Sequence, residues 1–205
     1  MSSRLFSSRR AAVSLLLVAG LTLGAPALAG CTADSAPPAE SDSAAPAETG
    51  AAEFSPATGQ TVAAEQYTFT LPEGWGFPDG APEGFDEATF ASDLQDDDEY
   101  QDSLNILTSP AGEVTPDQVE DVGVTELENA GATEVRVLPR ITAAGSESSH
   151  LTAGFAQDGV DYLIDQYYLT DAGQTYIVTF SFSPDTPQAD RDALAQSVLS
   201  TWQWV

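Results

Sequence analysis

Val160-Asp161-Tyr162-Leu163-Ile164-Asp165-Gln166-Tyr167-Tyr168-Leu169-Thr170, Asp171-Ala172-Gly173, Gln174-Thr175-Tyr176-Ile177-Val178-Thr179-Phe180-Ser181-Phe182 is the stretch whose reading decides the fold of this chain. It is two runs rich in aromatic and β-branched residues with a short turn between them, the pattern of a hairpin. In the second run Tyr176, Val178, Phe180 and Phe182 fall on one face and Ile177, Thr179 and Ser181 on the other, the period of two that only an extended strand produces. Gln157-Asp158-Gly159 is a second turn, and a strand pattern near 149–157 precedes it. Strands near 149–157, 160–170 and 174–183 are therefore expected to form an antiparallel meander, with a fourth near 133–141.

Outward from the meander, Thr115-Pro116-Asp117-Gln118 predicts a helix start, with Thr as N-cap, Pro in the first turn and Gln placed for a capping box. Val119, Val122, Leu127 and Ala130 are expected on its buried face, and Gly131 as its stop. Thr186-Pro187 opens a second helix, with Asp190 and Asp192 near its positive end and Leu194, Val198, Leu199 and Trp202 as its apolar stripe. Towards the N-terminus, Tyr67-Thr68-Phe69-Thr70-Leu71 alternates as a half-buried strand and ends at Pro72-Glu73-Gly74. Shorter strand patterns at 88–91 and 103–108 flank an acidic loop. Residues 66–205 read as one α+β domain, an antiparallel β-sheet flanked by helices.

The segment before this domain has a different composition. Residues 1–30 carry Arg4, Arg9 and Arg10, an apolar run over 11–23, and then Ala25-Pro26-Ala27, the three parts of a secretory signal. The run is too short for a spanning helix. Leu28-Ala29-Gly30-Cys31 matches the bacterial lipobox. The Cys31 thiolate can take up a diacylglycerol as a thioether, the match implies cleavage before Cys31, and two or more acyl chains such as palmitate hold a protein stably at a bilayer. Cys31 is the only cysteine of the chain, so no intramolecular disulfide explains it. Residues 31–65 follow as the lipidated Cys and an Ala/Pro/Ser/Glu-rich tether. Phe54 is its only aromatic, and too little apolar surface is present to offset the entropy of ordering it.

Tyr67-Thr68-Phe69-Thr70-Leu71-Pro72-Glu73-Gly74-Trp75 resembles the first strand and "LPxGW" turn of PsbP-like α/β/α sandwich domains, in particular those of LpqN- and LpqT-type lipoproteins of Gram-positive bacteria. Phe180-Ser181-Phe182 running into a helix, and Leu199-Ser200-Thr201-Trp202 near the end, resemble the closing part of the same domain. The resemblance implies an envelope-anchored accessory or binding domain and brings no catalytic residues with it.

Charge narrows the function further. The six basic residues are all arginines and three of them lie in the signal, which leaves three against 32 acidic residues, a formal charge of −29 after residue 30. Such a surface excludes nucleic acid as a partner and electrostatic attachment to anionic lipid, so the membrane tie is expected through the lipid on Cys31. Without lysine there is no P-loop and no Schiff base.

His150 is the only histidine; no G-x-S-x-G elbow accompanies it, and a surface or partly buried position on a strand edge is expected rather than a catalytic one. No zinc site of ordinary composition can be built, and no metal or cofactor is expected. Asp93, Asp96, Asp97, Asp98, Glu99 and Asp102 crowd one loop, but without EF-hand spacing they read as a solvated acidic loop.

The surplus in this sequence is aromatic. Trp75, Phe77 and Phe85 lie in a Gly/Pro-rich loop, and Tyr162, Tyr167 and Tyr168 put rings on both faces of one strand. Either helices cover both faces of the sheet and the rings fill cores, or the rings line a groove for an apolar ligand or partner peptide. The expected function is a membrane-anchored, extracytoplasmic, non-catalytic module that binds an envelope protein or an apolar small molecule. A hydrolytic enzyme and a purely structural envelope component are the alternatives.

Overall fold

The computed structural model describes residues 54–81, 86, 89–96, 100–157 and 159–205. The signal, the lipobox with Cys31 and most of the tether lie outside the described residues, as do Phe85, Asp97, Asp98 and Glu99.

The meander forms where the sequence places it and extends on both sides. Strands β1 (Thr61–Ala63), β2 (Tyr67–Thr70), β3 (Trp75–Gly76), β4 (Phe90–Asp93) and β5 (Ser103–Thr108) precede the first helical segment. That segment runs from α1 (Pro116–Gln118) through a π-helical turn (Val119–Gly123) into α2 (Val124–Asn129). Strands β6 (Thr133–Ala143), β7 (Ser146–Gln157), β8 (Val160–Asp171) and β9 (Gln174–Phe182) follow, then α3 (Gln188–Leu199) and β10 (Gln203–Trp204). A seven-stranded sheet has the order β3-β4-β5-β9-β8-β7-β6, every neighbour antiparallel. A three-stranded sheet has the order β1-β2-β10.

The strand period sorts the side chains into two cores. Leu104, Ile106, Tyr167, Leu169, Val178, Phe180 and Phe182 pack on one face of the large sheet against the small sheet and Ala195, Val198 and Leu199 of α3. Leu151, Ala153, Phe155, Tyr162 and Ile164 pack on the other face against Val119 and Leu127. Helices thus cover both faces of an antiparallel sheet, the expected α+β architecture. Burial of each large apolar side chain contributes roughly 1.5–3 kcal/mol, so two filled cores hold the layers together.

The first helix begins as its sequence specifies: Thr115 caps it and shares a reciprocal capping box with Gln118. Its buried face differs from the expected one. Val119, Gly123 and Leu127 are buried, whereas Val122 is 44% exposed and Ala130 is exposed as well. The π turn widens the spiral by one residue and moves the inward stripe onto a spacing of four. Gly123 permits the contact, since a Cβ there would sit 2.9 Å from Leu151 Cδ1.

The folded domain also begins earlier than position 66. Val62 of β1 is buried and pairs with Phe69 of β2, and the Gly59 N–H donates to the Leu71 carbonyl at 2.9 Å. Ala57 N–H donates to Ser197 O of α3 at 3.0 Å. Residues 57–65 lack strand periodicity in sequence because only Val62 is fully buried, with the small Ala57 and Ala64 half-buried against the core; the ordering comes from the edge of β2, a partner that local sequence cannot reveal.

Candidate functional site

The residues with the most chemistry meet beneath α3. His150 of β7 and Asp165 of β8 face the same core, and Asp165 Oδ1 lies 2.9 Å from His150 Nε2. Arg191 of α3 reaches down so that its Nε donates to Asp165 Oδ2 at 2.7 Å. Three of its other guanidinium hydrogens go to the Thr186 carbonyl, Thr152 Oγ1 and Gln188 Oε1. Gln188 Nε2 also donates to Asp192 Oδ1 at 2.8 Å.

His150 is 3% exposed and stacked on the Tyr167 ring at 4.3 Å, and Asp165 is fully buried. The expected surface or partly buried histidine is thus a core residue: β7 is an interior strand of the sheet, and its alternation turns His150 inward. Burial by itself would raise the Asp165 carboxyl; the hydrogen bond from His150 and the charge of Arg191 outweigh it and hold the carboxyl below its ordinary range.

This cluster is arranged as a brace. Among the described residues no hydroxyl is hydrogen-bonded to the His150 ring, and Asp165 bonds His150, Gln188 and Arg191. One ligand atom each of His150, Asp165 and Asp192 lie within 4.8 Å of one another. The central carboxylate is already bonded to a guanidinium, however, which opposes a second cation there.

The aromatic residues do not share one wall. Trp75 is buried in the α3-side core and Phe77 is 37% exposed. Tyr162 packs in the opposite core, sandwiched between Tyr100 at 5.1 Å and Phe155 at 5.6 Å. Tyr167 is fully buried under α3, whereas Tyr168 lies on the face of α1 and α2. Successive residues of β8 point to opposite faces, so Tyr167 and Tyr168 cannot meet in one groove.

In the acidic loop, Asp93 Oδ1 accepts the Gln95 N–H, Asp96 Oδ2 the Asp102 N–H and Asp102 Oδ1 the Ser183 N–H. These carboxylates tie down turns and strand ends.

An opening exists that the sequence does not announce. The β7–β8 ladder stops at His150↔Tyr167. Beyond that point β7 stays paired with β6 to Ala143↔Ser146, and β8 stays paired with β9 to Asp171↔Gln174. Ser148 Oγ accepts the Tyr168 N–H at 3.0 Å where a strand carbonyl would otherwise stand, and the two strands fork. A cleft of about 360 Å³ lies there, bounded by Ser146, Glu147, Tyr168, Thr170 and the loop 113–116.

The loop wall is held firmly, since the Val114 N–H donates to Thr175 Oγ1 at 3.0 Å and Thr115 is fixed by its capping box. Ser146 Oγ is buried and has no hydrogen-bond partner among the described residues. Burial pushes the Tyr168 hydroxyl up, so it stays protonated and donates to Gln166 Oε1 at 2.9 Å. Beside the cleft, Arg140 bridges Asp117, Glu120 and Glu147. The Arg140 hydrogen bond holds the Glu120 carboxyl below its ordinary range.

Among the described residues no helix is long and apolar enough to cross a membrane. A scan against protein-family models found no match, and a search of curated proteins found none either. Solved structures do show similarity of chain course. LpqN, involved in cell envelope biogenesis of Mycobacterium tuberculosis, is 14% identical, over 68% of this chain and 83% of its own, at a TM-score of 0.47. The Ran-binding protein Mog1p of Saccharomyces cerevisiae is 12% identical over 66% and 88%, also at 0.47. The cyanobacterial PsbP of Synechocystis is 17% identical over 68% and 86%, at 0.42. Likeness at these levels carries neither a residue role nor an activity over to this chain.

Proposed function

We propose that the chain is a lipid-anchored binding module of a bacterial cell envelope, held at the outer face of the membrane through Cys31 and without catalytic chemistry of its own. The observation that carries the non-catalytic part is the position of His150. The only histidine is 3% exposed, bonded to Asp165 and closed over by α3, where no substrate can reach it. The anchoring part rests on Leu28-Ala29-Gly30-Cys31 and on the absence of any second cysteine. Trp75, Tyr162, Tyr167 and Tyr168 pack into the two cores, and the chain after residue 30 carries a formal −29, which favours an envelope protein or a polar ligand over an apolar one.

Fractionation of cells producing the full chain tests the anchor. The wild-type protein is expected with the membranes and to incorporate a palmitate analogue, and Cys31→Ala is expected in the soluble fraction without label. A wild-type protein that keeps a free thiol and leaves the membranes removes this reading. Native mass spectrometry of the detergent-extracted protein then reads whether a partner leaves the membrane with it.

A further inference from the structure

We propose that Asn105 anchors a binding site for an uncharged, extended peptide segment with aliphatic side chains, on the face that β5 and β9 present beside α1 and α2. This deepens the binding-module reading and rests on it. Leu104, Ile106, Val178 and Phe180 belong to the core under α3, so the alternate residues Asn105, Leu107, Ile177 and Thr179 lie on the opposite face. On that face the first helical segment packs over β6 and β7. The strand register sets Asn105 beside Thr179 and Thr179 beside Gln166. In the next row Leu107 lies beside Ile177, and Ile177 beside Tyr168. Leu107 and Ile177 are half-buried and belong to neither core.

A buried amide on an interior strand needs a partner. Asn105 is 7% exposed, and its side-chain amide makes no hydrogen bond among the described residues. Ser92 Oγ, Ser146 Oγ and Trp202 Nε1 are closed to water as well as unpartnered, whereas the Asn105 amide keeps a narrow opening to solvent. Its neighbours are committed elsewhere. The Tyr168 hydroxyl donates to Gln166 Oε1 at 2.9 Å, and Gln166 Nε2 donates to Thr179 Oγ1 at 3.2 Å, which leaves the Thr179 hydroxyl hydrogen for a further acceptor. The Asn105 amide adds two N–H donors and a carbonyl acceptor beside it. Donors and an acceptor side by side match a peptide group, which needs both. Neither row holds a charged side chain, so an ion would shed its hydration with no counter-charge to meet it. The half-buried groups next to the amide, Leu107 and Ile177, are aliphatic, which suits a leucine-like side chain better than a sugar ring.

The chain has two asparagines, Asn105 and the exposed Asn129 at the end of α2, so nitrogen labelling of asparagine alone gives two side-chain amides to follow by NMR in the detergent-solubilised full chain. Titration with N-acetyl-leucyl-leucinamide is expected to shift the Asn105 amide saturably and leave Asn129 in place. Amides that move together, or not at all, overturn the site. Asn105→Leu is expected to weaken the same peptide about 10-fold or more by calorimetry, the loss of its hydrogen bonds to the amide. Its melting temperature is expected to hold or rise, because an unpaired buried amide gives way to an apolar group of similar size. A lower melting temperature, or an unchanged affinity, would make Asn105 a structural residue and end the proposal. Saturable shifts with maltose and none with the peptide would hand the site to a carbohydrate instead. A protein partner retained in native mass spectrometry, with the Asn105 amide unmoved by the peptide, sinks this inference while leaving the binding-module reading in place.

Discussion

Arg191 on α3 and Asp165 on β8 meet through an Nε–Oδ2 hydrogen bond of 2.7 Å at a site closed to water, and His150 takes the other carboxylate oxygen at 2.9 Å. One of only three basic side chains after residue 30 is thus spent inside the core, where it ties α3 to the sheet. The Arg191 guanidinium also lies 6.0 Å from the centre of the Phe182 ring.

Breaking this pair from one side leaves a buried charge without a partner. Asp165→Asn is expected to destabilise the domain by about 3–5 kcal/mol in urea unfolding. Asp165→Leu combined with Arg191→Met is expected to recover much of that loss, because the apolar pair has no charge to desolvate. A double variant as unstable as the sum of the singles would show that the brace acts through something other than charge pairing.

The same carboxyl makes stability depend on pH. Its folded-state pKa lies below the unfolded value, so its contribution is complete above about pH 5 and is lost as pH falls through the ordinary aspartate value near about 4 towards the folded one. Wild-type melting temperature is expected to fall more steeply over that acid window than that of the Asp165→Leu/Arg191→Met double variant. Parallel curves would count against it.

Gly59 tests where the domain begins. A Cβ at this position would sit 2.3 Å from the Pro72 carbonyl oxygen, which is backbone and cannot swing aside. Gly59→Ala is expected to cost about 1–3 kcal/mol, the range of overpacking. A substitution in an unstructured tether would leave the unfolding curve where it was.

Ala172 occupies the two-residue turn between β8 and β9 with a φ of 48°, followed by Gly173 at 84°. A left-handed conformation at alanine costs about 1–2 kcal/mol. Ala172→Asn is expected to raise the melting temperature by a few degrees, since asparagine tolerates that region and is favoured in such turns.

Trp202 stacks on Tyr67 at 4.4 Å and on Phe69 at 5.2 Å, yet its buried indole Nε1–H has no acceptor among the described residues. Trp202→Phe therefore sacrifices contact area but no hydrogen bond, and is expected to cost less than about 1.5 kcal/mol, against about 3–5 for Trp202→Ala. Similar losses for both variants would mean that the indole makes a bond the stacking geometry conceals.

The meander, the helix cap at Thr115 and the α+β class were determined by the sequence alone, because each is set by periodicity and by residues a few positions apart. Of the stripe expected on α3, Val198 and Leu199 are buried, Leu194 is half-buried and Trp202 lies beyond the helix end, while Arg191 and Ala195 complete the buried face. What tertiary structure decided was everything that depends on partners distant in the chain. Residues 57–65 are ordered by β2 and α3, not by their own composition. His150 became a core residue because β6 and β8 flank its strand and Arg191 arrives from α3. The π turn that exposes Val122 is seen only where Gly123 meets Leu151. Tyr167 and Tyr168 were assigned to separate cores by the pleat of β8 once helices stood on both sides. The fork at Ser146 and Glu147 arises where one ladder ends while its neighbours continue, a matter of register among four strands that no local pattern encodes.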